Sequence, residues 1–548
     1  MKNLRTSFIL LFLILLISCS TMKKKADLII YNATIYTVDE QFSVSAALVI
    51  KDGKILAHGE KGDILRTYEA EKMLDAGGMF VYPGFYDAHC HFLSYGLGKL
   101  HRADLVGTKS FSAVLEKLNE HAEKNGSEWI EGRGWDQNDW ELKEFPDREE
   151  LEKLFPDRPV ILTRIGGHAA LVNGEALRRA GITAETRVTG GEIHLKNGSP
   201  SGILIDNAIE LVSEQIPENS PALKSAALQK AQEDCFAVGL TSVMDAGMAV
   251  QDIMLIDSLN KDGKMKIRIN AMLTSMDSSY LEFMRKGEYK TDRLHVNSIK
   301  LYADGALGSR GACMLEPYSD DDGNYGLLMY PEEYYREVIE NALENNFQVN
   351  THAIGDSANR FIIDLYAEYL KGPNDRRWRV EHAQIVHPDD FNKFGSFSII
   401  PSIQATHCTS DMYWADERLG EERIKGAYAW QQLLAQNGWL PNGTDFPIEH
   451  ISPLMTYYAA VSRKDLEGHP EDGFQFDEAL SREEALRSVT IWAAKGSFEE
   501  DEKGSLEAGK LADIVILDRD LISIPENEIP GAEVLYTIVN GEILYKGK

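Results

Sequence analysis

Between about residues 83 and 490, short apolar runs alternate with helix-patterned segments. The strand candidates are Val81–Asp87, Val160–Arg164, Ser242–Asp245, Ile267–Leu273, Ser298–Tyr302, Gln348–His352, Trp378–Glu381, Ile399–Ile403 and Gly438–Asn442. The helix candidates include Ala222–Val238, Pro331–Asn346, Asp356–Lys371 and Ala427–Asn437. Parallel strands need a crossover between them, usually a helix, so sustained alternation predicts a parallel α/β fold. Over this length a TIM-like (β/α)8 barrel is the first expectation. The stretch 92–225 is longer than one strand–helix unit requires and is expected to be an insertion over the barrel mouth.

Both ends of the chain have a different character. Residues 27–82 read as β: Asp27–Val38 is rich in β-branched and aromatic residues, and Ala46–Leu56 is two short strands around Asp52-Gly53. Residues 491–548 match, with the apolar run Ala512–Leu517 and a hairpin, Val534–Tyr545, around Asn540-Gly541. Two β-rich ends flanking one long middle predict a single β-sandwich built from both termini.

Residues 1–18 read as a processing segment, with Lys2 and Arg5 ahead of the apolar run Phe8–Ile17. That run ends in Leu16-Ile17-Ser18-Cys19, which resembles a bacterial lipobox and makes Cys19 the expected lipidation site. Residues 19–26 then form a lipidated tether, and the expected location is the cell envelope, on the periplasmic side or the cell surface. A net charge of -29, from 57 basic and 86 acidic residues, repels phosphate backbones, so no nucleic-acid partner is expected. Cys90, Cys235, Cys313 and Cys408 lack CxxC spacing and predict neither a zinc ribbon nor a disulfide framework. An exposed apolar barrel face could pair two copies as a homodimer.

The chemistry begins at Val81-Tyr-Pro-Gly-Phe-Tyr-Asp-Ala-His89-Cys-His91. Side chains alternate along a strand, so His89 and His91 point one way and can chelate one ion, while Cys90 points the other way. His352 closes the run Gln348-Val-Asn-Thr-His, His382 follows Arg379-Val-Glu381, and Asp445 lies in Asn442-Gly-Thr-Asp-Phe-Pro447. In a barrel all C-terminal strand ends meet on one face, so these residues converge although they are far apart in sequence. A single histidine is more often a hydrogen-bonded structural residue; four of them at the ends of strands one, five and six, with an aspartate after strand eight, are not explained that way. Lys300 sits in Ser298-Ile-Lys-Leu-Tyr-Ala-Asp-Gly305. Desolvation lowers the pKa of a lysine inside an apolar strand, and a neutral amine can take up carbon dioxide as a carbamate that bridges two metal ions. The alternative is an ion pair with Asp304 or with a substrate carboxylate.

This set resembles the amidohydrolase superfamily, and more narrowly its family 3, the YtcJ-like proteins that include N-substituted formamide deformylases. The narrower likeness rests on Gly166-Gly167-His168 with Asn173, Asp304-Gly305-Ala-Leu-Gly308-Ser-Arg310, Gln404 with His407 and Asp411, and Gly443-Thr-Asp445-Phe-Pro447. It covers about residues 27–548; Ala306 and Thr444 stand where serine is also common. The resemblance implies an accessory sandwich of the urease type, His89, His91, Lys300, His352, His382 and Asp445 around one or two divalent ions (zinc by likeness), and a small amide-type substrate. Such a centre lowers the pKa of water towards neutrality and supplies a hydroxide nucleophile. Asp445 is then the proton acceptor, with His168 and His407 as further catalytic candidates and Asp87 orienting the first-strand ligands. Trp135, Asp304 and Arg310 are substrate-binding candidates, and Trp140 either walls the pocket or fills a core. The expected activity is hydrolysis of a non-peptide C–N bond in an amide, formamide or cyclic amide. The alternatives are a metal-dependent deaminase, against which a bridging Lys300 argues, and a non-catalytic surface binding protein.

Overall fold

The computed structural model describes residues 22–547. Its central sheet joins seven parallel strands: β1 (Phe85–Cys90), β2 (Leu240–Met248), β3 (Arg268–Thr274), β4 (Leu294–Tyr302), β5 (Gln348–Ala353), β6 (Arg379–His382) and β7 (Ile400–Ser402). The gap between β7 and β1 is bridged by extended residues 440–443. On one side Ile403 N–H donates to Pro441 O (3.0 Å) and Gly443 N–H to Ile403 O (3.0 Å); on the other, Ala88 N–H donates to Asn442 O (3.3 Å). The sheet is therefore a barrel of eight staves. Gly443 lets the last stave close on the first, because a Cβ there would lie 2.4 Å from His89 N and 2.8 Å from His89 O.

Helices fall close to their expected places: Pro221–Ala237, Glu332–Glu344, Asp356–Leu370 and Trp430–Asn437. The helix Pro221–Ala237 starts where its signals say it should, with Ser220 capping Leu223 N–H and proline at the first turn. Two strand expectations need correction. Val81–Asp87 is not one strand. It breaks at Gly84 into Phe80–Pro83, which belongs to the terminal sheet, and β1. Val160–Arg164 is a strand but not a barrel stave. It lies between Ile130–Trp135 and Ala169–Val172 in a separate six-stranded sheet spanning residues 103–206. A short apolar run buried on both faces looks the same in either sheet, so period alone could not assign it.

The two chain ends form one eight-stranded sheet ordered Glu542–Lys546, Val534–Val539, Ile514–Leu517, Phe80–Pro83, Lys24–Tyr36, Val44–Lys51, Lys54–Gly59, with Tyr68–Asp75 also on Lys24–Tyr36. Leu28, Ile30, Leu48 and Ile50 share a core with Ile514, Ile516 and Ile538. The first strand begins at Lys24, paired with Tyr68, so the expected tether loses its last three residues to the sheet. Residues 1–18 and the lipidation site Cys19 lie outside the described residues. Cys90, Cys235, Cys313 and Cys408 are free thiols, three of them buried.

Candidate metal centre

Parallel register carries the C-terminal ends of all the staves to one rim, and the chemistry sits there. His89 is the penultimate residue of β1 and His91 follows its end. Lys300 lies near the end of β4, His352 near the end of β5, and His382 ends β6. Asp445 follows the eighth stave, held by its N–H donating to His89 O at 2.7 Å. The Asp445 Oδ1 atom lies 3.3 Å from His91 Nε2 and 3.7 Å from His89 Nε2, and Lys300 Nζ is 3.2 Å from the same His89 nitrogen. The other oxygen, Oδ2, is 3.1 Å from His407 Nε2. The His382 ring stands 5.1 Å from that of His89, 4.5 Å from that of His352 and 5.7 Å from that of His407, centre to centre.

Two sets of donor atoms, His89/His91/Asp445 and His382/His407/Asp445, each lie within 4.8 Å of one another. Asp445 is common to both. His352 belongs to neither set; its Nε2 is 3.4 Å from Gly305 O and its ring lies 4.9 Å from that of His168. His382 and Asp445 both hold positive φ, 72° and 60°. Backbone in this region costs of order 1–3 kcal/mol at a non-glycine residue and persists only where the surroundings enforce it.

Burial governs the electrostatics. It lowers the pKa of His89 to about 4, with Lys300 adding to the effect, and holds His352 and His382 well below the usual histidine range. Three neutral imidazoles result, the form that ligates metal. Burial also brings Lys300 down to about 8, although Glu381 and Asp445 oppose it. For Asp445, burial opposes ionisation, but His407 and His91 outweigh it and hold the carboxyl well below its usual value. Burial would likewise lower His407; the carboxylates of Asp445 and Glu449, on its two ring nitrogens, raise it well above the usual range instead.

The donors fit a metal ion. Among the described residues, His382 Nδ1 and Asp445 Oδ1 are buried and find no hydrogen-bond partner, an omission worth about 1–3 kcal/mol each. A cation between imidazole and carboxylate atoms would remove that cost. Nitrogen and oxygen donors without thiolate suit a divalent ion at an open site rather than a closed structural one.

Several neighbours position these groups. The fully buried Glu381 accepts from His89 Nδ1–H at 2.5 Å and pairs with the equally buried Arg379, whose Nε lies 2.6 Å from Glu381 Oε1. With Nδ1 so occupied, His89 turns Nε2 toward Lys300 and Asp445. Asp87 accepts from His89 N–H (3.0 Å), Thr444 N–H (3.1 Å) and Thr444 Oγ1 (2.7 Å), tying β1 to the segment that carries Asp445. His168, on the insertion, lines the same cavity and holds Asp206 through Nδ1 at 2.8 Å.

The three substrate-binding expectations fail on geometry. Trp135 is 1% exposed, packs in the insertion's own core and donates Nε1–H to Leu162 O at 2.7 Å, because it lies on the inner face of its strand. Trp140 is also core. Asp304 is fully buried and accepts the N–H groups of Ile354, Gly355 and Cys313, which fixes the loop after His352. Arg310 turns away from the cavity to pair with Asp320 at 2.7 Å. Sequence reasoning assigned no role to Glu381, Asp206, Glu449 or Arg133. Only the first left a signal: Arg379 and Glu381 put two charges on one side of a short strand candidate.

The rim opens into a cavity of about 670 Å³, lined by His89, His91, Lys300, His352, His382 and Asp445 and, from the insertion, by Arg133, Asp136, Arg164 and His168. Against known proteins, the sequence model of the Amidohydrolase family (Amidohydro_3) matches residues 72–545. The chain belongs to the amidohydrolase family. This amidohydrolase is 30% identical to the YtcJ protein of Bacillus subtilis (strain 168), over 94% of this chain and 99% of that one. It is 26% identical to the N-substituted formamide deformylase of Arthrobacter pascens, over 96% and 99% of the two chains. Among solved structures it resembles an uncharacterized metal-dependent hydrolase from Pyrococcus horikoshii OT3, with a TM-score of 0.74, 29% identity and coverage of 91% and 99%. The amidohydrolase is accordingly a metal-dependent hydrolase on a barrel fold.

Proposed function

We propose that this amidohydrolase cleaves a non-peptide C–N bond in a small amide, formamide or cyclic amide. The observation that carries the reading is the meeting of His89, His91, Lys300, His382, His407 and Asp445 at one cavity, with His382 Nδ1 and Asp445 Oδ1 left unpartnered. The deformylase relative adds support for the bond type. When bound, a divalent ion supplies acidified water and polarises the carbonyl; zinc suits the imidazole–carboxylate donors. His89, His91, His382 and Asp445 would hold it; His352 lines the same cavity, and Lys300, as a carbamate, would add an oxygen donor.

The chain's own residues then act on protons. Asp445, held ionised, accepts a proton from the attacking water. The water oxygen bonds to the carbonyl carbon, the C–N bond breaks, and Asp445 returns the proton to the leaving nitrogen, so that water is divided between acid and amine. His407, between Asp445 and Glu449, keeps Oδ2 in place while Oδ1 works. His168, steadied by Asp206 through Nδ1, lines the cavity as the partner of the developing oxyanion.

We also propose that Cys19 carries a lipid anchor that places the enzyme in the cell envelope. Among the described residues no helix is long and apolar enough to cross a membrane, so the anchor would supply the attachment. The test is metal analysis of the purified protein followed by assay of N-formyl and N-acyl amines. Hydrolysis lost in His89→Ala and Asp445→Asn supports the reading; full activity after complete metal removal overturns it.

A further inference from the structure

Three arginines line the cavity: Arg102, Arg133 and Arg164. Two are neutralised. Arg164 Nη2 lies 2.6 Å from both oxygens of Asp136, and its Nε donates to Gln137 at 2.9 Å. Arg102 Nε donates to Glu131 at 3.1 Å. Arg133 is different. Among the described residues no carboxylate comes within 4.0 Å of its guanidinium. Its one hydrogen bond runs from Nη2 to Ile165 O at 2.8 Å, and its Nε is buried without a partner. Burial, with Arg102 close by, lowers its pKa to about 10 although Asp445 opposes it, which still leaves the group charged at neutral pH.

A half-buried cation with no ion pair at its guanidinium is costly, and a bound anion relieves it. The bond to Ile165 O fixes Arg133 beneath the Gly166-Gly167-His168 loop, where a Cβ on Gly167 would stand 3.7 Å from Nη1. Arg133 and His168 therefore share one shelf of the insertion, and the metal donors line the same cavity.

We propose that Arg133 anchors a carboxylate carried by the amide substrate, on a part of the molecule remote from the bond that is cleaved. This rests on the hydrolase reading above and deepens it. A planar guanidinium with free N–H groups matches a carboxylate in a two-pronged contact. A single cation without an ion pair of its own suits a monoanion. A phosphate dianion is disfavoured, because Asp139, Asp411 and Glu449 also line the cavity. Val106, Leu307, Ile354, Trp414 and Ile448 on the walls suit an apolar body between the carboxylate and the amide. The substrate class is thus an amide with an apolar body and one carboxylate.

The test uses twin probes that differ only in a carboxylate at the far end of an apolar chain, N-formyl-6-aminohexanoate and N-pentylformamide, together with the matching N-acetyl pair. Binding to the metal-loaded, full-length protein is measured by calorimetry for the wild type, Arg133→Gln and Arg133→Lys. The expected result is at least tenfold tighter binding of the carboxylated twin by wild type, loss of that preference in Arg133→Gln and partial retention in Arg133→Lys. Equal binding of the twins by wild type, including no binding of either, overturns the proposal. So does an unchanged preference in Arg133→Gln. If Arg133→Gln does not fold, the wild-type comparison and Arg133→Lys decide. Cleavage of either twin is read separately and bears on the hydrolase reading alone.

Discussion

Glu381→Gln is expected to weaken metal binding while leaving every direct donor in place. His89 is fully buried, and its Nδ1 lies 2.5 Å from Glu381 Oε2, so the carboxylate alone decides which ring nitrogen carries the proton. Glutamine can still accept from Nδ1–H, but its amide has no charge and can turn its NH2 toward the ring instead. Losing such an outer partner typically costs about 10–100-fold in metal affinity, or about 1.4–2.8 kcal/mol. A second term acts on stability. Arg379, itself unexposed, lies 2.6 Å from Glu381 and loses its counter-charge. Removing one member of a buried pair costs about 3–5 kcal/mol, and the similar shape of glutamine should keep the loss near the lower end. Chelator competition followed by metal analysis measures the affinity, and thermal melting of the metal-free protein measures the stability term separately. A folded variant whose metal affinity stays within about threefold of wild type would refute the argument that Glu381 orients His89.

Gly443→Ala places a methyl group 2.4 Å from His89 N, so the barrel seam must open; a loss of about 1–3 kcal/mol in stability and lower metal content are expected, read by melting and metal analysis. Asp513→Asn removes the buried partner of Arg268 (2.6 Å), which joins β3 to the terminal sheet. Burial opposes ionisation of Asp513, but Arg268 overrides it and depresses the carboxyl pKa. The pair therefore stabilises the fold above the ordinary aspartate value of about 4 and loses that contribution as pH falls through the lower folded value. The variant should be less stable at pH 7 and show a flatter decline on acidification, measured by urea unfolding across pH. Arg310→Ala should leave KM unchanged, since its ion pair with Asp320 points away from the cavity and is worth about 0–1 kcal/mol; a KM raised tenfold would return Arg310 to the substrate site.

The donor residues could be read from the chain because metal chemistry admits few residue types and a parallel barrel admits one place for them. His89 and His91 announced themselves by period-two spacing; His352, His382 and Asp445 did so by standing at or just past the ends of strand candidates. Glu381 was half visible through its alternation with Arg379. Arg133 was not visible at all, since an arginine in Ile-Glu-Gly-Arg-Gly-Trp reads as any strand arginine until its neighbours are known. Trp135 and Arg310 misled for the same reason: aromatic and cationic residues near a mouth can face either way.

Local order, then, set which segments became strands and helices and which side chains could bind an ion. Those properties depend on residues a few positions apart. Whether Val160–Arg164 joined the barrel or the insertion, which arginine kept a free charge, and which histidine met which acid depended on partners up to hundreds of positions away. Such pairings arise only when the closed sheet brings distant chain together and burial makes each unmatched polar atom costly.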